Sequence, residues 1–144
     1  MRKLIMARSG GPVRHIVFCR FRHEVTPTGR LAFFEQIRRL TEVPGIAFDN
    51  FQCGPNVSPE GYSMSFSDGF MMDFASRDDC FAYLAHPTHQ AIGARLLDAL
   101  EDGAQGLLVF DIDLETHEKP SGKTRPVLHQ YRNAGPSGAA QSHD

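Results

Sequence analysis

The chain has 144 residues, of which 41% are hydrophobic and 22% are charged, and its formal net charge is −2. This composition is typical of a single globular domain and differs from that of disordered or fibrous chains. Residues 13–114 contain 14 acidic residues, 8 arginines and no lysine, so this part should repel the phosphates of nucleic acids. No run of about 20 apolar residues is present that could span a bilayer. We therefore expect neither a nucleic-acid partner nor a membrane partner.

The three cysteines, Cys19, Cys53 and Cys80, are scattered along the chain without a CxxC spacing. Such a set indicates neither a disulfide framework nor a zinc ribbon, and free thiols are typical of proteins in a reducing compartment. The N-terminal stretch has only a three-residue apolar run, far short of the core of a signal peptide. We expect a cytoplasmic protein.

The first part of the chain predicts an arm, a strand and the start of a helix. Residues 1–12 are expected to form a loose arm. Alternating apolar residues over 13–22 predict a strand that places His15 and Val17 on the same face. At Thr26 a hydroxyl N-cap followed by proline predicts the start of a helix.

Two further strands are expected after this helix, which should end at Pro44. They are predicted over residues 46–53 and 65–75, and Gly69 in the second is expected to mark a bulge. A loop rich in glycine and proline should connect them.

Two consecutive helices are predicted next, because Pro87 interrupts an otherwise helical pattern and disfavours helical dihedral angles at the residue before it. Ser76 is the expected N-cap of the first. In the second, His89, Ile92 and Gly93 begin an apolar stripe at helical spacing.

The last predicted strand covers residues 106–113, and residues 115–144 are predicted to be a disordered tail. The domain at 13–114 therefore has the order β-α-β-β-α-α-β. This is the order of an α+β, ferredoxin-like split βαβ fold with one four-stranded antiparallel sheet. Such a sheet leaves one face without helices, and both faces of the first strand carry apolar side chains. We expect two sheets to pair face to face in a homodimer.

Five segments carry a resemblance to a known family: Arg-His-Ile-Val-Phe at 14–18, Pro-Gly-Ile at 44–46, Phe-Ala-Ser at 74–76, Tyr-Leu-Ala-His-Pro-Thr-His at 83–89 and Leu-Val-Phe-Asp at 108–111. The Tyr-x-x-His-Pro-x-His stretch is the most specific of them. Together they resemble the stress-responsive dimeric α/β-barrel (Dabb) family. The resemblance implies a homodimer in which two sheets close into a barrel, with a small cavity in each subunit.

The resemblance also implies roles for single residues. A plant polyketide cyclase of this family uses a tyrosine and a histidine for a cofactor-free aldol cyclisation, and these fall on Tyr83 and His89. A pocket histidine of the same enzyme falls on His15. Leu84 and Gly93 match positions that line its pocket.

A further pocket histidine of that cyclase falls near Asp68, where this chain departs from it. We predict Tyr83 and His89 as catalytic residues. The residues expected to line an apolar pocket that takes a small-molecule ligand are His15, Val17, Asp68, Leu84, Ile92 and Gly93.

The residue types of the predicted pair fit simple proton-transfer chemistry. Because His89 lies on the apolar stripe of its helix, it should be buried, and burial keeps an imidazole neutral and able to act as a base. A tyrosine that polarises a carbonyl group beside such a base needs no cofactor, and none is expected. A metal site is not expected either, because Pro87 separates His86 from His89 and no zinc-binding spacing is present.

Several alternatives stay open at this point. The protein is either a cofactor-free cyclase or isomerase, or a non-catalytic stress-associated or small-molecule-binding dimer; a third hypothesis is an interaction protein that uses its tail. His86 is interpreted as a structural residue that bonds the backbone between two helices. Asp111 and Asp113 are interpreted as charges at the edge of the sheet.

Overall fold

The computed structural model of the protein describes residues 10–114. The predicted tail at 115–144 lies outside the described residues, as does all of the predicted arm except residues 10–12. No helix within the described part is long and apolar enough to cross a membrane.

The described residues form four strands and three helices in the predicted order. The strands are β1 (Val13–Cys19), β2 (Asp49–Pro55), β3 (Asp68–Phe74) and β4 (Leu107–Asp113). The helices are α1 (Pro27–Arg38), α2 (Arg77–Ala85) and α3 (Pro87–Asp98). Short 3-10 turns follow α1 at Arg39–Glu42 and precede β4 at Gly103–Gly106.

The four strands form one antiparallel sheet in the order β2-β3-β1-β4. β1 therefore lies in the interior of the sheet, between β3 and β4, and β4 is an edge strand. This is the strand order of the ferredoxin-like split βαβ fold. The predicted fold class is confirmed.

One face of the sheet packs against the helices and contains the core. Alternate residues of β1 and β3 are buried there, as the period of two in a strand requires. The buried side chains that β1, β3 and the helices α1 and α3 contribute to this core are Val17, Cys19, Phe70, Met72, Phe74, Phe34, Ile37, Ile92 and Leu96.

Side-chain caps account for the positions at which the helices begin. The hydroxyl of Thr26 accepts a hydrogen bond from the Gly29 amide at 3.0 Å, and proline occupies the first turn, as predicted. The hydroxyl of Ser76 accepts from the Asp79 amide at 3.1 Å at the start of α2. α1 ends at Arg38, earlier than predicted, because the chain tightens into a 3-10 turn before the proline.

The strands are shorter than the sequence predicts, and the backbone explains why. β1 ends at Cys19 rather than at residue 22, since beyond it the chain makes only an isolated bridge between Phe21 and Leu100. β3 begins at Asp68 rather than at residue 65. The preceding Met64 and Ser65 have φ values of 53° and 70°, which are incompatible with a strand.

The predicted bulge at Gly69 is wrong, because β1 and β3 pair without a register shift from one end to the other. Glycine is needed at this position because the Phe18 ring packs closely against its backbone: a Cβ atom there would lie 2.9 Å from the ring. The register shift lies in β2, between Asp49 and Gln52, where Asn50 has a φ of 59°.

The opposite face of the sheet is apolar and exposed. Its large apolar side chains Phe18, Leu108, Phe110 and Ile112 are each between 39% and 58% exposed. Contiguous apolar patches of this kind mark interaction surfaces.

Candidate functional site

The structure brings the predicted residues His15, Tyr83 and His89 into one cluster between the sheet and the helices. The ring centroid of Tyr83 lies 4.2 Å from that of His89 and 5.7 Å from that of His15. β1 supplies His15, α2 supplies Tyr83, and the first turn of α3 supplies His89. The break at Pro87 between the two helices therefore places the tyrosine and the second histidine side by side.

Tyr83 is one of the most buried side chains of the protein, with 1% of its surface exposed. Its ring contacts Phe74 at 5.1 Å and Phe48 at 5.9 Å between centroids. Burial raises the pKa of the Tyr83 phenol well above its ordinary value, with a smaller contribution from Cys80. The hydroxyl is therefore protonated at neutral pH and available as a hydrogen-bond donor.

His89 is partly buried, and its Nδ1 atom is inaccessible to solvent. Burial lowers the pKa of His89 below its ordinary value and outweighs the opposing effect of the Leu84 backbone. The neighbouring His15 and His86 lower this pKa further. At neutral pH the imidazole is therefore uncharged, the state in which it can accept a proton.

His15 has a partner that the sequence interpretation missed. Its Nδ1 lies 2.7 Å from the Oδ1 atom of Asp111, which stands directly opposite on β4. Asp111 does lie on an edge strand, as predicted, but its carboxylate binds a histidine that is only 3% exposed. Only the register between β1 and β4 could have revealed this pair, and one sequence does not specify that register.

The other residues predicted to line the pocket lie around the cluster in different environments. Val17 and Ile92 belong to the apolar core, where they are 3% and 8% exposed. Leu84 is 36% exposed on α2. Gly93 lies on α3, and a Cβ atom there would meet no other atom within 4 Å, so there is open space beside it.

Asp68 is the exception, because the structure does not bring it to the cluster. It lies four residues along β3 from Met72, the partner of His15, which is about 13 Å of strand. Its carboxylate forms an ion pair with the Nη1 atom of Arg30 at 3.0 Å. The ion pair explains how an acidic residue can be only 8% exposed at this position.

The structural interpretation of His86 is confirmed. Its Nδ1 atom accepts a hydrogen bond from the Thr88 amide at 3.1 Å, which caps the start of α3. Its Nε2 atom lies 3.3 Å from the Pro44 carbonyl oxygen, to which it donates. The first histidine of the Tyr-x-x-His-Pro-x-His stretch thus holds the helix junction together.

Replacing His86 with alanine is expected to lower the free energy of unfolding by about 1 kcal/mol, the typical value of an N-cap side chain. His86→Asn, which keeps an acceptor for the Thr88 amide, should recover most of this loss. Urea denaturation of the three proteins measures the effect. Equal stability of the alanine variant and the wild type would contradict the capping role.

Two cavities formed by described residues lie outside the His15, Tyr83 and His89 cluster. The larger, of about 710 Å³, is on the exposed sheet face, with walls that include Phe18, Met71, Leu108, Tyr62, Met64 and Phe66. The smaller, of about 310 Å³, is lined by Val13, Arg77, Cys80, Phe81, Asp111, Ile112 and Asp113. Neither is lined by the three clustered residues, so the pocket predicted around them stays a prediction.

Comparison with known protein families gives one match. A sequence profile described as "Stress responsive A/B Barrel Domain" matches residues 13–114. No curated protein matches the chain.

Several solved structures are similar to this one. A dimeric ferredoxin-like protein of unknown function from Jannaschia sp. CCS1 is 31% identical, with a TM-score of 0.62, and the match covers 71% of this chain and 98% of that one. A dabb family protein with a ferredoxin-like fold from Mesorhizobium loti is 24% identical, with a TM-score of 0.55 and coverages of 71% and 95%. A hydroxynitrile lyase from Passiflora edulis is 17% identical, with a TM-score of 0.63 and coverages of 76% and 98%. The last two show similarity of fold alone.

Proposed function

This chain belongs to the stress-responsive A/B barrel domain family, and we propose that it is a homodimer in which Tyr83 and His89 catalyse cofactor-free proton transfer on a small carbonyl metabolite. The reaction class is that of a cyclase or isomerase. The observation that carries this proposal is the contact of the Tyr83 and His89 rings, whose centroids lie 4.2 Å apart.

In the proposed reaction His89 acts as the general base. Its neutral imidazole has one unprotonated ring nitrogen, which removes a proton from the carbon next to the substrate carbonyl. The Tyr83 hydroxyl donates a hydrogen bond to the carbonyl oxygen and stabilises the enolate as negative charge develops there. In a cyclisation the enolate carbon then attacks a second carbonyl group, whose C=O π bond breaks, and the protonated His89 returns its proton to the alkoxide that forms. In an isomerisation, the protonated His89 returns the proton to a different carbon.

His15 and Asp111 act as positioning residues in this proposal. The hydrogen bond of 2.7 Å between them fixes the orientation of the His15 ring. That ring meets the Tyr83 ring edge-on at 5.7 Å and limits the positions that the phenol can take. A carboxylate that orients a histidine in this way is a recurring feature of catalytic sites.

Space for a substrate lies beside α3. Gly93 follows His89 by four residues, so both lie on the same face of the helix. A Cβ atom at Gly93 would meet nothing within 4 Å beyond its chain neighbours and the backbone of its own helix, so this position does not block a ligand next to the base. The half-exposed Leu84 lies on the neighbouring helix and offers an apolar contact.

The exposed sheet face supports the homodimer in this proposal. Four large apolar side chains project from it, and a second copy of the same face would cover them. The similar protein from Jannaschia sp. CCS1 is described as dimeric, and it matches this chain over 98% of its length.

A second candidate function is a non-catalytic dimer that binds a small apolar molecule. It is favoured by the burial of Tyr83, which is 1% exposed among the rings of Phe48 and Phe74. It is also favoured by the apolar cavity of about 710 Å³ that the single chain has on the sheet face, a volume suited to a small ligand, with Phe18 and Leu108 of the proposed dimer interface in its wall. In this case the same fold would bind a ligand without turnover.

Proton exchange in a simple ketone tests the proposed chemistry. The full chain is incubated in D₂O with acetophenone, whose methyl protons are exchanged through an enol, and deuterium incorporation is followed by NMR. We expect the wild-type protein to exchange these protons faster than buffer alone. If the rate equals that of buffer while an apolar ligand raises the melting temperature, the non-catalytic function replaces the proposed one.

A further inference from the structure

Three side chains with metal-binding atoms meet at one end of the sheet. His15 on β1 faces Asp111 on β4, and Cys80 comes from α2. An imidazole nitrogen, a carboxylate oxygen and a thiol sulfur from these residues all lie within 4.8 Å of one another. The three residues come from widely separated parts of the sequence, so the tertiary fold alone brings them together.

Two of the three residues are buried and the third is partly exposed, which suits an ion site at the edge of the core. His15 and Cys80 are 3% and 2% exposed, so two of the three are held by packing. The side chain of Asp111 is 42% exposed and faces the solvent side. An ion could enter from solvent past the Asp111 side chain and then be held by the buried His15 and Cys80.

The donor atoms indicate which kind of ion fits. A thiolate and an imidazole are ligands of borderline and soft metals, whereas Mg²⁺ and Ca²⁺ prefer oxygen atoms only. We propose that His15, Cys80 and Asp111 form a binding site for a divalent transition-metal ion of the zinc class. Three protein ligands leave a fourth position for water or another ligand, as in catalytic rather than structural zinc sites.

A cavity of about 310 Å³ gives access to this site. Cys80 and Asp111 are both in its wall, so an ion held between them can reach a water molecule or a small ligand in the cavity. Arg77 also lines the cavity, where its guanidinium is ion-paired with Asp113 at 3.3 Å.

The geometry requires a small adjustment when the ion binds. The 2.7 Å between His15 and Asp111 is a hydrogen-bond distance, whereas two ligands of a tetrahedral zinc ion are separated by about 3.3 Å. Asp111 must therefore retreat by roughly half an ångström, a movement open to a half-exposed side chain on an edge strand. Cys80 binds as the thiolate, and its proton is released to solvent.

This site is distinct from the pair His86 and His89 considered in the sequence analysis. Both ring nitrogens of His86 form hydrogen bonds at the helix junction. It shares His15 and Asp111 with the proposed function, where they position the Tyr83 ring, but neither Tyr83 nor His89 is among the ligands. Metal binding can therefore be measured without any catalytic assay, and its failure would leave the proton-transfer proposal intact.

Cobalt binding tests the site directly. The full chain is freed of metal with a chelator and titrated with Co²⁺ as a spectroscopic substitute for Zn²⁺. We expect one ion per chain to produce the near-ultraviolet charge-transfer absorption of a thiolate–cobalt bond. Cys80→Ser should abolish this absorption, and Asp111→Asn should weaken the affinity about 10- to 100-fold or more.

A matched control variant is Cys53→Ser, because Cys53 is an exposed thiol outside the cluster and the substitution should leave the absorption unchanged. The histidines of the sequence at 117, 129 and 143 can bind cobalt without a sulfur ligand, so they cannot produce the thiolate signal. If Cys80→Ser does not fold, Asp111→Asn decides the question, since its side chain is half-exposed. Absence of the thiolate signal in the wild type, or its persistence in Cys80→Ser, would overturn the proposal.

Discussion

His89→Ala is expected to reduce the exchange of acetophenone protons by about 10²- to 10⁴-fold, because it removes the general base. Tyr83→Phe keeps the buried ring and removes only the hydroxyl, and we expect a loss of about 10²-fold or more from the missing hydrogen bond to the enolate. NMR detection of deuterium incorporation at equal protein concentrations measures both effects. The two residues are in ring contact at 4.2 Å, so their effects should not add when both are changed.

The matched control for His89 is His23→Ala. The His23 side chain is 95% exposed, and its ion pair is with Glu24 rather than with a residue of the cluster. This variant should exchange protons at the wild-type rate. His89→Ala should lower the exchange rate by a far larger factor than it lowers the stability, because Tyr83 keeps its packing against Phe74 and His15 without the His89 ring. A loss of stability with an unchanged exchange rate would assign a structural role to His89.

The rate of proton exchange should depend on pH through the protonation of His89. Burial lowers its pKa below the ordinary value of 6.5, with the Leu84 backbone opposing and His15 and His86 adding to the effect. The rate should therefore stay constant through neutral pH and fall only below this lowered pKa. Stability should respond with the same sign: the unfolded chain binds the proton more strongly, so acidification through pH 6.5 favours unfolding.

Phe110→Glu is expected to dissociate the proposed homodimer, with a loss of affinity of about 100-fold or more. Phe110 lies on the exposed sheet face and is 58% exposed in the single chain. Pairing of two such faces would bury the introduced carboxylate beside its symmetry-related copy, and an unpaired buried charge is very costly. Light scattering and sedimentation measure the mass of the species in solution.

Leu31→Glu provides the control, because Leu31 is 51% exposed but lies on α1, which packs against the opposite face of the sheet. The same introduced charge there should leave the dimer intact. A wild-type protein that sediments as a single species of 16.0 kDa, the mass of one chain, would contradict the dimer. Equal dissociation by both substitutions would show that the sheet face is not the interface.

The sequence by itself determined the order of the elements and the fold class, because the signals for both are local. The cap at Thr26, the cap at Ser76 and the break at Pro87 act within a few residues, and each lies where it was predicted. The family resemblance pointed to Tyr83 and His89 as a pair, whereas the contact between their rings came only from the structure. The role of His86 followed from the same junction.

The tertiary structure decided which distant side chains face each other. The pair His15 and Asp111 depends on the register between β1 and β4, and a shift of one residue would move Asp111 to the other sheet face. Cys80 reaches that pair only because α2 packs across the sheet, so no sequence spacing could reveal the group of three. The family resemblance placed Asp68 with the site, but the length of β3 separates it from His15. Local propensity determines where a helix or strand begins, whereas the packing of helices and strands determines which distant side chains come into contact.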